Sequence, residues 1–302
     1  MNKDLISGFD LSTGDINAIF SLTKKLKKKK ISTELFGKTV GLVFQKPSVR
    51  TRVSFEVGAR QLGADCIYLA PQDIHLGSRE PIKDIARVLT RYLDGIVART
   101  FSHTHILDLA HYAKVSVING LSDLYHPAQA LADIYTIVEK AGKCKGQKLV
   151  FIGDGNNVVH SLAALSAKVG LNFSLATPLG YEPDKKIWQE ALNIAKKTGT
   201  KITHCYDPKQ ALKGADFVYT DVWTSMGQEK ERKKRLKDFR RFQINSKLLR
   251  SVGKNCGIMH CMPVHRDEEI TDEVIESKNS IVFDQAENRL HVQKAVMALL
   301  IK

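Results

Sequence analysis

Thr39-Val40-Gly41-Leu42-Val43-Phe44, followed closely by Ser48-Val49-Arg50-Thr51-Arg52, is the stretch on which the fold turns. The first six residues form a short, apolar, β-rich run, the pattern of a buried strand. Pro47 suits the first turn of a helix, Ser48 can cap it, and amphipathic sequence continues through Arg60. A strand that gives way to a helix start gathers free backbone N–H groups, the Ser48 and Thr51 hydroxyls and the Arg50 guanidinium. The helix dipole favours negative charge there, and arginine binds phosphate bidentately. The segment is therefore a candidate anion cradle, although a capped helix with a solvated arginine carries the same local pattern. No G-x-x-x-x-G-K-[ST] is present, so this is not a Walker loop.

Outward from this stretch, strand-like runs recur at 39–44, 66–69, 95–98 and 115–118, with helical sequence between them. A second series follows at 148–152, 173–176, 216–220 and 257–260. Gly37-Lys38-Thr39-Val40 is echoed by Gly146-Gln147-Lys148-Leu149, and Asp94-Gly95-Ile96-Val97 by Ala215-Asp216-Phe217-Val218. Two alternating series predict an α/β protein of two doubly wound parallel-sheet domains. Asp123 to Lys140 reads as a helix leading out of the first half, and Lys143-Cys144-Lys145-Gly146 as the junction. Gln285 to Ile301 reads as an amphipathic helix returning to the first domain. The expected division is 1–140 plus 285–302 against 141–284. Ligands of such sheets bind outside the carboxyl ends of the strands, and polar residues gather there: Ser48 to Arg52, Arg99 and His126, then Asn156 and Asn157, Asp221 to Met226, and His260-Cys261-Met262-Pro263. Two such edges facing across a cleft would bring an anion site against a second-substrate site.

The 302 residues carry 43% hydrophobic and 26% charged side chains, a globular composition. The net charge of +14, from 46 Lys and Arg against 32 Asp and Glu, is diffuse. Its densest cluster, Lys24 to Lys30, ends a helical pattern where cations suit the dipole, and no nucleic-acid motif accompanies it. An anionic substrate would benefit from the field. Five cysteines lack framework spacing, and neither a leader nor a long apolar run is present, so a reduced, cytoplasmic, membrane-free protein is expected.

Single motifs admit rival readings. Gly153-Asp154-Gly155-Asn156-Asn157 follows a strand and opens a helix, but a dinucleotide fingerprint needs a third glycine and a later acidic residue. The next strand ends Ala176-Thr177-Pro178, with no carboxylate for a ribose, so the asparagines are better read as amide donors for a carboxylate. His126-Pro127-Ala128-Gln129 places His126 and Gln129 on one helical face. His260, Cys261, Cys256 and His265 match no common zinc spacing. Asp221-Val222-Trp223-Thr224-Ser225-Met226-Gly227 has the character of a binding loop. Gln228 to Arg241, with its alternating charges, reads as a solvated helix.

Taken together, the S-x-R-T-R, H-P-x-Q, D-x-x-x-S-M-G and H-C-[LM]-P motifs, in that order from Phe44 to Leu300, resemble the aspartate/ornithine carbamoyltransferase family, on its ornithine branch. Aspartate enzymes carry a final motif like H-P-L-P. Val49, where Thr is frequent, and Ala128 and Met262 are small departures. The resemblance implies transfer of a carbamoyl group from carbamoyl phosphate to the δ-amine of L-ornithine, giving citrulline and phosphate. It implies that Ser48, the Val49 amide, Arg50 and Thr51 hold the phosphate, that Arg99 bridges phosphate and carbonyl oxygen, and that His126 and Arg289 face that carbonyl. Gln129 and the Met262 carbonyl would hold the carbamoyl amide. Asn157 would take the ornithine carboxylate, Asp221 and Ser225 its α-amine with the Met226 backbone nearby, and Cys261 and Asp221 would lie near the δ-amine. The resemblance also implies a homotrimer or a multiple of it, in which His75 reaches a neighbouring subunit's anion site. No metal or cofactor is implied, because arginines supply the positive charge.

An amine like that of lysine, with pKa near 10.4, is neutral in about one molecule in a few thousand at pH 7, a cost of about 4–5 kcal/mol unless the site removes the proton. The sequence does not identify the base that takes it. A carbamoyltransferase for another amine, such as putrescine, is the neighbouring alternative, and a non-catalytic polyanion-binding module the more distant one.

Overall fold

The protein, a computed structural model, is described over residues 2–302 apart from Met226. The chain divides into two compact units, Met1–Ala132 with Asn288–Lys302, and Asp133–Glu287. In the first, α1 (Thr13–Lys28) starts in a Ser12–Asp15 capping box. There follow β1 (Thr39–Phe44), α2 (Val49–Gln61), β2 (Asp65–Leu69), α3 (Pro71–Ile74), α4 (Ile82–Leu89), β3 (Gly95–Arg99), α5 (His103–Tyr112) and β4 (Ser116–Leu121). The strands are parallel, in the order β2-β1-β3-β4. Central β1 buries Val40, Leu42, Val43 and Phe44 completely, which explains an apolar run with no alternation. The register of β3 on β4 shifts between Ala98 and Arg99, a local irregularity of the kind that re-aims a side chain.

Helix α6 (Pro127–Ala141) carries the chain across the boundary between the units. The second unit holds β5 (Lys148–Ile152), α7 (Asn157–Val169), β6 (Asn172–Ala176), α8 (Lys185–Thr198), β7 (Ile202–Cys205), α9 (Pro208–Leu212), β8 (Phe217–Thr220), α10 (Arg232–Asp238), α11 (Ser246–Leu249), β9 (Gly257–His260) and α12 (Asp272–Ile275). Its parallel sheet runs β7-β6-β5-β8-β9. Edge strand β7 has no counterpart among the strands expected from sequence: Ile202 is its one buried residue, too weak an apolar signal to stand out. The stretch 228–241 is not the single solvated helix its charges suggest. It breaks into a 3₁₀ turn (Glu229–Glu231), α10 and a second 3₁₀ turn (Arg240–Phe242), and Arg235 is buried. That guanidinium donates to Asp154 Oδ2 at 2.7 Å and to the Trp223 carbonyl at 3.0 Å.

Helix α13 (Val282–Leu300) begins in the second unit and ends in the first. Within the first, the Ser116 hydroxyl donates to the Leu300 carbonyl, and a Cβ on Gly95 would stand 2.6 Å from Ile301 Cδ1. Fully buried Lys294 donates to the carbonyls of Leu26, Lys29 and Lys30 at 3.3–3.4 Å and to Gln61 Oε1 at 3.0 Å. A cation therefore closes the negative end of α1. Burial lowers its pKa and Glu34 opposes that shift.

Candidate functional site

In the first unit, Ser48 caps α2 as its hydroxyl accepts from the Thr51 amide at 3.3 Å. Val49 opens the helix, so its N–H has no acceptor within it. Ser48 Oγ also donates to Thr51 Oγ1, 3.1 Å away, and Arg289 of α13 donates to the same oxygen at 2.9 Å. Three sequence candidates are thus physically joined at the start of α2. Arg50 stands beside them, half-buried.

Arg99, at the end of β3, is 6% exposed, and its Nε has no partner among the described residues. Burial first, then the charges of Arg289 and Arg50, push its pKa down to about 10. His126, which precedes α6, lies well below its ordinary value, because it is buried and faces Arg289, Arg99 and Lys46. Gln129 sits one turn on, also buried, and its backbone N–H donates to the His126 carbonyl at 3.1 Å. Lys46 is held down to about 8 by burial and by Arg99, with Asp123 opposing. Repulsion among these groups lowers their affinity for protons, and a bound dianion would relieve it. The neutral imidazole beside them can polarise a carbonyl without adding charge.

The second half-site lies in the second unit. Asn156 caps α7 through its Oδ1, which accepts from the Val158 and Val159 amides. Its Nδ2 donates to Asp221 Oδ2 at 2.9 Å. A Cβ on Gly155 would lie 2.3 Å from Pro183 N and 2.5 Å from Glu182 C, so only glycine lets this turn pack. Asp221, 8% exposed, accepts at Oδ1 from the Val222 amide at 2.8 Å and the Cys261 thiol at 3.0 Å. Burial and Asp221 hold that thiol well above its ordinary pKa, so it is a donor, not a thiolate. Asn157 is the first residue of α7. The Ser225 amide donates to Gln228 Oε1. Met262 has φ 60°, a left-handed conformation unfavourable for a side chain, and its amide donates to His260 Nδ1. Met226 lies outside the described residues.

His75 sits on the exposed loop after α3, with φ 43°. Gln45 ties this loop down: its Nε2 donates to the Leu76 carbonyl and its Oε1 accepts from the Phe101 amide. One ligand atom each of Asp221, His260 and Cys261 lies within 4.8 Å of the others, but Glu269 engages His260 Nε2 and the Met262 amide its Nδ1. Both imidazole nitrogens are therefore occupied by protein. Sequence reading missed Lys46, Asn156 as a partner of Asp221, and the Arg235–Asp154 pair. The last had a signal, an arginine in a charge-alternating stretch, but nothing in sequence marks which charge turns inward.

Residues 3–139 match the family model for the carbamoyl-P binding domain of aspartate/ornithine carbamoyltransferase, and residues 145–300 match that for its Asp/Orn binding domain. An ornithine carbamoyltransferase of Thermococcus kodakarensis is 56% identical over 266 residues, covering 88% of this chain and 84% of that protein. The protein of Pyrococcus furiosus described as ornithine carbamoyltransferase, anabolic, is 51% identical over 99% of this chain and 96% of its own length. A solved structure of ornithine carbamoyltransferase from Pyrococcus furiosus superposes with a TM-score of 0.96 at 51% identity, covering 99% of this chain and 96% of that one.

Proposed function

Since this chain belongs to the aspartate/ornithine carbamoyltransferase family, we propose that it transfers the carbamoyl group of carbamoyl phosphate to the δ-amine of L-ornithine, giving L-citrulline and phosphate. The observation that carries the reading is the crowd of Lys46, Arg99 and Arg289 around a neutral His126, with depressed proton affinities at Lys46 and Arg99. Such a site favours a dianion and the negative charge that develops on a leaving phosphate. In this reading Ser48, the Val49 amide, Arg50 and Thr51 hold the phosphate. Arg99, His126 and Arg289 polarise the carbonyl, and Gln129 with the Met262 carbonyl takes the carbamoyl amide. Asn157 receives the ornithine carboxylate, Asp221 and Ser225 its α-amine with Met226 adjacent, and Asp221 and Cys261 meet the δ-amine. Carbamoyl transfer then needs positioning and charge more than a protein nucleophile.

We assign the biosynthetic direction by analogy with the relative described as anabolic, and a cytoplasmic setting. Among the described residues, no helix is long and apolar enough to cross a membrane. Assembly as a homotrimer or a multiple of it is part of the proposal. It is supported by Val49, Val53 and Val57, a stripe at helical spacing that is 77%, 52% and 37% exposed, and by Ile67, 47% exposed on edge strand β2. His75 would then complete a neighbour's anion site. Subunit mixing of His75→Ala with Arg50→Ala chains should restore activity above the sum of the two variants, and proven mixing without recovery rejects that role.

An assay of phosphate release and ureido product against a panel of amines tests the central reading. Ornithine should exceed lysine and putrescine by orders of magnitude in kcat/KM, because unpaired head-group donors discriminate far more than a methylene does. Comparable efficiency with putrescine would replace ornithine as the substrate.

A further inference from the structure

The turn after β9 carries a buried pair with no part in the substrate contacts assigned above, His260 and Glu269, both fully shielded from solvent. His260 ends β9, and its backbone N–H donates to Gln285 Oε1 at 2.9 Å. Asp133 orients Gln285 in turn: its Oδ1 accepts from Gln285 Nε2 at 2.7 Å and its Oδ2 from the Tyr219 hydroxyl at 3.0 Å. On the imidazole, Nε2 lies 3.0 Å from Glu269 Oε1, and Nδ1 accepts from the Met262 backbone N–H at 2.9 Å. Glu269 Oε1 also accepts from the His265 backbone N–H at 2.6 Å, while the Glu269 carbonyl accepts from the Ile244 N–H at 2.9 Å. Backbone groups thus fix the carboxylate, the carboxylate fixes the ring, and the ring holds Met262.

A backbone N–H can only donate, so Nδ1 must present its lone pair, and the ring proton sits on Nε2, facing the carboxylate. The other tautomer, and the doubly protonated ring, would each set an N–H against the Met262 N–H. An ionised Glu269 has no proton to donate and so selects this one form. Resting on the carbamoyl-transfer reading above, in which the Met262 carbonyl takes the carbamoyl amide, we propose that Glu269 and His260 are positioning residues that aim this carbonyl. Met262 is held at φ 60°, a left-handed conformation that a side chain keeps only where its surroundings enforce it. The His260 ring enforces it from two residues upstream, through the Met262 amide. Pro263 narrows ψ of the residue before it, so once the amide is anchored the Met262 carbonyl has little freedom left. Misplacing such a contact by about 1 Å costs about a hundredfold in rate.

NMR of the wild-type protein with isotope-labelled histidine tests the tautomer directly: His260 Nε2 should be protonated and Nδ1 bare, and a protonated Nδ1 overturns the proposal. Two substitutions then separate the two ring contacts. His260→Asn puts an amide oxygen where Nδ1 stood and gives up Glu269; His260→Gln reaches Glu269 with an amide N–H and gives up the Met262 amide. Each loses one buried hydrogen bond, so a merely structural pair would harm both variants alike. Positioning demands a split. His260→Asn should stay within about threefold of wild type in kcat/KM for carbamoyl phosphate, and His260→Gln should fall about tenfold to a hundredfold. Inorganic phosphate, which has no amide, should bind both variants as it binds the wild type. Equal impairment of the two, or a loss of phosphate affinity in step with carbamoyl phosphate, overturns the proposal and leaves the enzyme reading standing. If His260→Asn does not fold, His260→Gln decides by that phosphate comparison. Wild-type protein that transfers no carbamoyl group to any amine removes both.

Discussion

Lys46 offers a quantitative test of the anion half-site. With its pKa held to about 8 by burial and the Arg99 charge, about half of the ammonium is neutral at pH 8. A bound dianion adds opposite charge to the cluster and raises the pKa towards its ordinary value. Binding should therefore take up about 0.5 proton per chain at pH 8, about 0.1 at pH 7 and about 0.9 at pH 9. Arg99, at about 10, adds only about 0.01 proton at pH 8. The sign follows: a process that takes up protons weakens as pH rises, so affinity at pH 9 should be about tenfold below that at pH 7. Sulfate is a suitable probe, because its charge is constant over that interval. Calorimetric titration in two buffers of different ionisation heat counts the protons directly. Lys46→Met should abolish the uptake and flatten the pH dependence. Uptake below about 0.1 proton at pH 8 in the wild-type protein would refute the argument that this lysine is held down by the cations it shares with the ligand.

Arg50→Ala should reduce kcat/KM by about 2–4 kcal/mol of transition-state binding while leaving the thermal midpoint in place, and a variant of near-normal activity removes the phosphate assignment. Gly155→Ala forces a methyl against the Glu182–Pro183 backbone; it should cost about 1–3 kcal/mol in urea unfolding and raise KM for ornithine more than for carbamoyl phosphate. An unchanged ornithine KM would separate the turn from the Asn156–Asp221 contact. Lys294→Met should lower stability by about 1–3 kcal/mol, as acceptors at the end of α1 lose their donor. An equally stable variant would mean that water replaces the ammonium there.

The sequence makes the strand-to-helix transitions legible because buried parallel strands are apolar on both faces and the helix starts carry distinctive caps, Ser48 and Asn156. Strand β7 escaped notice because an edge strand buries little: Ile202 is its one buried residue. The site candidates came from motif spacing, and the joining of Thr51 to Arg289 lies beyond any local pattern, since the two residues meet only once α13 has returned. Pairings such as Arg235 with Asp154, or Tyr219 with Asp133, are set by which side chains face inward at separations that periodicity does not encode. Charge alternation near Arg235 pointed towards solvent for just that reason.

The assignment of Asn288–Lys302 to the first unit bears on how the molecule is made. Translation completes the second unit's contiguous segment while the first still lacks Arg289, Lys294 and the Ile301 side chain that lies over Gly95. Synthesis thus reverses the usual rule that N-terminal domains mature first. The anion half-site becomes whole only once the segment Asn288–Lys302 has left the ribosome, so a chain terminated before Asn288 could complete the second unit yet could not assemble the Thr51–Arg289 link.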